Sequence, residues 1–442
     1  MRLSVSVRMV AVCIAGAHCA GEEVAQQSTT GSEILTTSSS ASSSSGTSEA
    51  PTSEAGWTES TTGNDMPSTE GPEPTTGEPE QFSYEGEHVV VIADEGLELC
   101  GGTMQHMDSF ISQASMRFGV QAPVGDDRIR FTWVKDSETL HEHCSIPDVL
   151  GCAQGGGRSA STVVPLNHEL IHNITYRIKG RHPRPFFTEG AAVAFGGYDG
   201  RLFREYAKHD IEILDLLELS RSELGGFSGA YPVVGQFAGY LIGRHGIDDF
   251  IRLYSEVAAD ATIEQIDQNF HDVLGVSLTE SVAEFQDLTN PWSYCNFDAL
   301  LSECNAPAIP WNGEYFEVES EIDCSRADTI GPYDGRMSVE FTFDIYETSF
   351  YELRLAGDEQ IATFVPDMHV KFEQANTAVS IFPCGSCSTG FMETQKGGTP
   401  RWTTLRPGRH SLRLLAPVNE PGTIAFGFKR LPEAPGDVIK EP

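Results

Sequence analysis

Basic residues are scarce in this 442-residue chain, with 29 Lys and Arg against 64 Asp and Glu and a formal charge of −35. That deficit excludes nucleic acid and anionic membrane surfaces as partners, because neither would find a basic face to bind. Between residues 21 and 80 it is complete: eleven acidic residues stand there with no Lys or Arg. Long apolar runs are missing too. The stretch at 9–17 is too short to cross a bilayer as a helix, and no later stretch is long enough. No internal repeat is visible.

What is present at the start reads as an export signal over residues 1–19, with Arg2 and Arg8 ahead of the short apolar stretch. Cys19 follows Gly16-Ala17-His18, a divergent lipobox, which leaves open a lipid anchor at Cys19 or cleavage and release. Residues 20–83 are rich in Ser, Thr, Glu, Gly and Pro and offer too little apolar surface to offset the entropy of ordering. They are expected to be a disordered linker. Eight cysteines lie beyond the leader, an even number that points to disulfides in an exported protein. Three precede residue 290 and five follow it, so complete pairing requires a bridge between the two halves. Cys384-Gly-Ser-Cys387 is read as part of structural bridging rather than redox or zinc chemistry. The chain is expected outside the cell or on its outer surface or in the periplasm, and is taken as monomeric.

The length suits two folded units. The first, over 84–290, opens with a strand at 88–93, a helix at 103–118 carrying Met104, Met107, Phe110, Ile111 and Met116 on one side, and a strand at 129–134. A strand at 159–164 precedes the central motif, and helical spacing dominates from 189 to 288. The second unit, over 291–434, has seven short strand-like segments (including one at 370–372) separated by turns, which reads as a β-sandwich. Residues 435–442 are a frayed tail.

The central motif is His168-Glu169-Leu170-Ile171-His172, an HExxH pattern. On a helix, positions i and i+4 share a face, so both imidazoles can address one metal while Glu169 reaches a water beside it. Pro165 is tolerated in the first turn of that helix and Gly180 can end it. A catalytic zinc needs a third protein ligand. Glu189 is the candidate, with sixteen residues between it and His172, within Phe186-Phe187-Thr188-Glu189-Gly190-Ala191-Ala192, where Gly190 and Ala191 allow close approach to the HExxH helix. The local basic cluster Arg177, Lys179, Arg181 and Arg184 reads as a solvated loop before it reads as a selector of acidic substrates.

These two segments, with Gly235-Gln236-Phe237-Ala238-Gly239-Tyr240-Leu241-Ile242 and the helices after it, resemble the gluzincin metallopeptidases. The nearest likeness is to peptidase MA-like proteins related to thermolysin and the zinc aminopeptidases, over about residues 160–288. The resemblance implies an α+β fold, with a small N-terminal sheet and a helical subdomain ahead of the β-sandwich. It implies one zinc ion on His168, His172 and Glu189, with Glu169 as general base and a peptide or protein as substrate. Such enzymes add a donor for the tetrahedral oxyanion, and Tyr231 stands at a plausible place for it. No acid stands four residues after Glu189, where Val193 is found, so nothing in the sequence orients one of the histidines. The strand at 159–164 would be the edge strand that pairs with an extended peptide. The competing class is a stalked extracellular binding or adhesion protein with a structural or silent zinc site.

Overall fold

The computed structural model describes residues 82–144, 149–197, 211–227, 229–288, 297–356, 377–385, 391–394 and 401–431. The leader, nearly all of the linker, Cys19, Cys295, Cys387, the boundary near 290, the strand expected at 370–372 and the tail lie outside the described residues.

A five-stranded sheet comes first: β1 (Phe82–Glu85), β2 (Val89–Ala93), β3 (Ile129–Trp133), β4 (Gly151–Gly155) and β5 (Arg158–Ser161). Its order is β1-β2-β3-β5-β4, with the three middle strands parallel and the two edges antiparallel. The edge is therefore β4, a correction to the strand expected at 159–164, since β5 is paired on both sides. Gly-Cys-Ala-Gln-Gly has no apolar alternation to announce a strand. Its place is set instead by the Cys144–Cys152 bridge and by a close approach at Gly151, where a Cβ would lie 2.8 Å from Ala160 O.

Helix α1 (Thr103–Arg117) connects β2 to β3 and buries Met107, Phe110 and Ile111. Met116 does not join them and is 76% exposed. Nine residues beyond Met107 it falls half a turn out of phase, on the opposite face. After α2 (Ser137–His143) come α3 (Asn167–Lys179) and α4 (Pro185–Gly196). Pro165 precedes α3 instead of lying in its first turn, and Gly180 ends the helix in the left-handed conformation at φ 67°. Helix α4 begins at Pro185, where a missing N–H costs nothing, so Glu189 sits in its second turn rather than at its start.

The remaining helices are α5 (Ile213–Glu218), α6 (Arg221–Gly226), α7 (Ala230–His245), α8 (Ile247–Glu256), α9 (Ile263–Leu274) and α10 (Leu278–Asp287). Capping boxes start α6, α9 and α10. Glycine contacts set the packing around α4. A Cβ on Gly235 of α7 would lie 2.2 Å from Val193 Cγ1, and one on Gly190 2.8 Å from Val234 O. Gly190 thus faces α7, not the HExxH helix. The close approach to α3 is made by Gly196, where a Cβ would lie 2.6 Å from His168 Cα.

The second part has nine strands among the described residues: β6 (Tyr315–Ile322), β7 (Ile330–Tyr333), β8 (Arg336–Ile345), β9 (Ser349–Ala356), β10 (Ala378–Pro383), β11 (Phe391–Thr394), β12 (Arg401–Leu405), β13 (Gly408–Pro417) and β14 (Gly422–Leu431). They form two antiparallel sheets, β11-β10-β13-β8-β7 and β12-β9-β14-β6. Phe343 of one sheet lies 4.9 Å from Phe316 and 5.0 Å from Phe428 of the other, ring to ring, so the two share a core.

This part is stitched to the first. Cys100 bonds to Cys324, the bridge between halves that the cysteine count required. Thr103 Oγ1 donates to Gly331 O at 2.6 Å and accepts from Gly331 N at 2.9 Å. Arg413 of β13 pairs with Glu340 and Glu303, and His106 of α1 lies 3.6 Å from Glu340. Cys384 bonds to Cys304, so the CxxC is not closed on itself.

Candidate metal centre

The first two turns of α3 and the second turn of α4 converge. His168, Glu169, His172 and Glu189 are 8%, 6%, 2% and 2% exposed, a degree of burial that charged side chains tolerate only with partners. His168 Nε2 lies 3.1 Å and His172 Nε2 3.3 Å from the same atom, Glu189 Oε2. The ligand atoms of His168, Glu169 and His172 lie within 4.8 Å of one another and form a buried group that could hold a metal ion.

The orientation of His168 has a visible cause. Its Nδ1 lies 2.8 Å from the carbonyl of Gly197, the residue that closes α4, and a carbonyl can only accept. The proton is therefore on Nδ1 in the neutral ring, and Nε2 is left to face the centre. This contact does the work for which the sequence offered no acid at Val193. The Nδ1 of His172 has no hydrogen-bond partner among the described residues. Its ring is held by packing, 4.8 Å from His168 and 6.0 Å from His182.

Charge is strongly biased here. Burial works against a proton on His168, but the hydrogen bond to Glu189 and the charges of Glu169 and Glu189 outweigh it and raise the imidazole to about 9. Burial likewise opposes charge on Glu189, yet His172 and His168 hold its carboxyl well below the ordinary range. His182 goes the other way: burial first, then the charges of His172 and Arg221, bring it down to about 3, so it is neutral near pH 7.

Tyr231 opens α7 and its ring lies 5.9 Å from that of His168. Burial, then the charges of Glu189 and Glu169, push its hydroxyl far above the usual phenol value, so it keeps its proton. The structure thus brings Tyr231 to the other four residues. Two residues at the centre escape a sequence reading. Arg221 Nε lies 3.3 Å from Glu189 Oε1, and His182 lies beside His172, with Nδ1 3.4 Å from the Tyr254 hydroxyl. Only the His-Pro step between His172 and Glu189 hinted at His182; Arg221, which directly follows the capping serine of α6, carries no such mark.

The basic cluster has a structural role at three of its four positions. Lys179 donates to Ser255 O, Arg181 to Val257 O and Arg184 to Ala261 O, which ties the α3–α4 connection to the end of α8 and the loop beyond it. The glycosylation-like Asn173-Ile174-Thr175 is buried in α3, with Asn173 donating to Ser159 Oγ at 2.6 Å.

No known protein family and no curated protein matches the sequence. Among solved structures, the chain is similar to the pre-peptidase C-terminal domain of a collagenase from Bacillus anthracis. That match has 11% identity and a TM-score of 0.20, covering 28% of this chain and 94% of that one. It is also similar to aminopeptidase A of Legionella pneumophila in complex with aspartic acid, with 10% identity and a TM-score of 0.32, covering 75% of this chain and 36% of that one. A family GH115 4-O-methyl-alpha-glucuronidase follows, with 12% identity and a TM-score of 0.14, covering 60% of this chain and 40% of that one. Two of these three neighbours are peptidase-related, but at such TM-scores the chemistry has to be argued from the side chains.

Proposed function

We propose that the chain is an exported zinc metallopeptidase of gluzincin type with a thermolysin-like catalytic part, in which His168, His172 and Glu189 hold the metal. The observation that carries this reading is the convergence of two imidazole Nε2 atoms on one carboxylate oxygen, at 3.1 and 3.3 Å, with a second carboxylate beside them. Two imidazoles and a carboxylate suit zinc and leave a coordination position for chemistry. Glu189 is preferred to Glu169 as the third ligand because its Oε2 addresses both histidines. A buried pair of protonated His168 and ionised Glu189 is also what a divalent cation would replace, with release of the proton.

A zinc ion in such a set supplies Lewis acidity and lowers the pKa of water. The chain's own residues do the rest. Glu169 takes the proton of the attacking water and passes it to the leaving amine. Tyr231, kept protonated, donates a hydrogen bond to the oxyanion as the peptide carbonyl becomes tetrahedral. The exposed side of β4 offers the strand edge against which an extended peptide can be aligned. Zinc-loaded protein should cleave members of an unbiased peptide library, and Glu169→Gln should keep the zinc and lose cleavage by at least about a hundredfold. Equal cleavage by that variant would remove Glu169 from the mechanism.

A further inference from the structure

We propose that Arg221 is a specificity-determining residue that receives a carboxylate of the substrate, either an acidic side chain or the free C-terminus, next to the bond that is cleaved. The proposal rests on the metallopeptidase reading and adds a substrate class to it. Arg221 Nε lies 3.3 Å from Glu189 Oε1, and a guanidinium carries five N–H donors in all. The Glu189 side chain is 3% exposed and that of Arg221 35%, so the guanidinium spans from the buried carboxylate to solvent. Its planar fork can engage a second carboxylate bidentately.

The capping box of Ser220 and Glu223 fixes the start of α6, and Leu224 anchors the helix in the core. The same box occupies Glu223, whose carboxylate accepts from Ser220 N at 2.8 Å and from Ser220 Oγ at 2.6 Å, so the nearest acid in sequence is committed elsewhere. A Cβ on Gly225 would lie 3.9 Å from the Tyr231 hydroxyl, which places α6 beside the expected oxyanion donor. Lys179, Arg181 and Arg184 are spent on backbone carbonyls and do not compete for this role. With a divalent cation bound and the histidines neutral, the cation, the two carboxylates and Arg221 would sum to one positive charge, which leaves room for one further anionic group.

The test uses matched peptides that differ only in Asp against Asn, or in a free C-terminus against an amide. Zinc-loaded wild type should favour one carboxylate member by about tenfold or more in kcat/KM, mainly through KM. The pair that shows the preference tells side chain from terminus. Arg221→Met should abolish the preference, and Arg221→Lys should restore part of it. Calorimetric binding of the same pairs to zinc-loaded Glu169→Gln, with and without Arg221→Met, should show the same tenfold difference and its loss without any turnover. No preference in wild type overturns the proposal. So does an equal fall on both members of a pair with the preference intact, since Arg221 would then only position Glu189. Failure of the wild type to cleave any peptide would defeat the metallopeptidase reading instead, and the binding arm would still decide whether Arg221 recognises a carboxylate.

Discussion

Which nitrogen and which oxygen turn inward decides what single residues do at this centre. His168 commits Nδ1 to Gly197 and presents Nε2, while Glu189 divides its two oxygens between the histidines and Arg221. Tyr231 acts in the proposed mechanism only by donating a proton in a hydrogen bond. Tyr231→Phe should therefore lower kcat by about a hundredfold, since a single oxyanion donor is worth about 3 kcal/mol, while leaving the zinc content unchanged. Steady-state kinetics with metal analysis checks both halves, and an unaltered kcat would assign the donor to another group. Much of this was legible beforehand. The i, i+4 spacing of His168 and His172 dictates a shared helix face, and the apolar segment around Glu189 marks a buried carboxylate. Gly197 and Arg221 were not legible, because a backbone carbonyl has no sequence signature and an arginine in a surface helix looks like any other.

Elements are held around the centre by close backbone approaches. Gly196 meets the backbone of His168 itself, and Gly235 meets the side chain of Val193. Backbone cannot yield as a flexible side chain can, so the two glycines should behave differently. Gly196→Ala should shift α3 against α4, destabilise the fold by about 1–3 kcal/mol and weaken zinc binding. Gly235→Ala should cost similar stability with less effect on the metal, because it meets the side chain of Val193 and not the backbone of a histidine. Chemical denaturation and a zinc titration on both variants would show this. Equal zinc affinity in Gly196→Ala and wild type would count against the packing account. The helices after residue 189 were legible as a region from their three- and four-residue apolar spacing. β4 was not, since a disulfide and tight glycine packing, not a pattern of side chains, put it at the sheet edge.

For the whole molecule, the junction between the sheet-and-helix part and the sandwich is polar and charged as well as bridged by Cys100–Cys324. Glu340, with its side chain 8% exposed, is opposed by burial, but Arg413 and His106 bring its carboxyl down to about 2. A carboxyl depressed in the folded state stabilises above its unfolded value near 4.5, and that contribution is lost as pH falls through about 2. Stability measured across that window should fall, and Glu340→Gln should flatten part of the fall. Arg413→Met, which leaves Glu303 and Glu340 buried without their cation, should cost about 3 kcal/mol near neutral pH. The cysteine count foretold a bridge between the halves, but which strands meet α1 depends on tertiary packing that no local pattern records. The account as a whole stands on one metal held by three named side chains. Elemental analysis of purified protein after exposure to zinc and removal of excess should find about one zinc per chain, with clear loss in His172→Ala and in Glu189→Gln. Zinc retained equally by the wild type and both variants would contradict it.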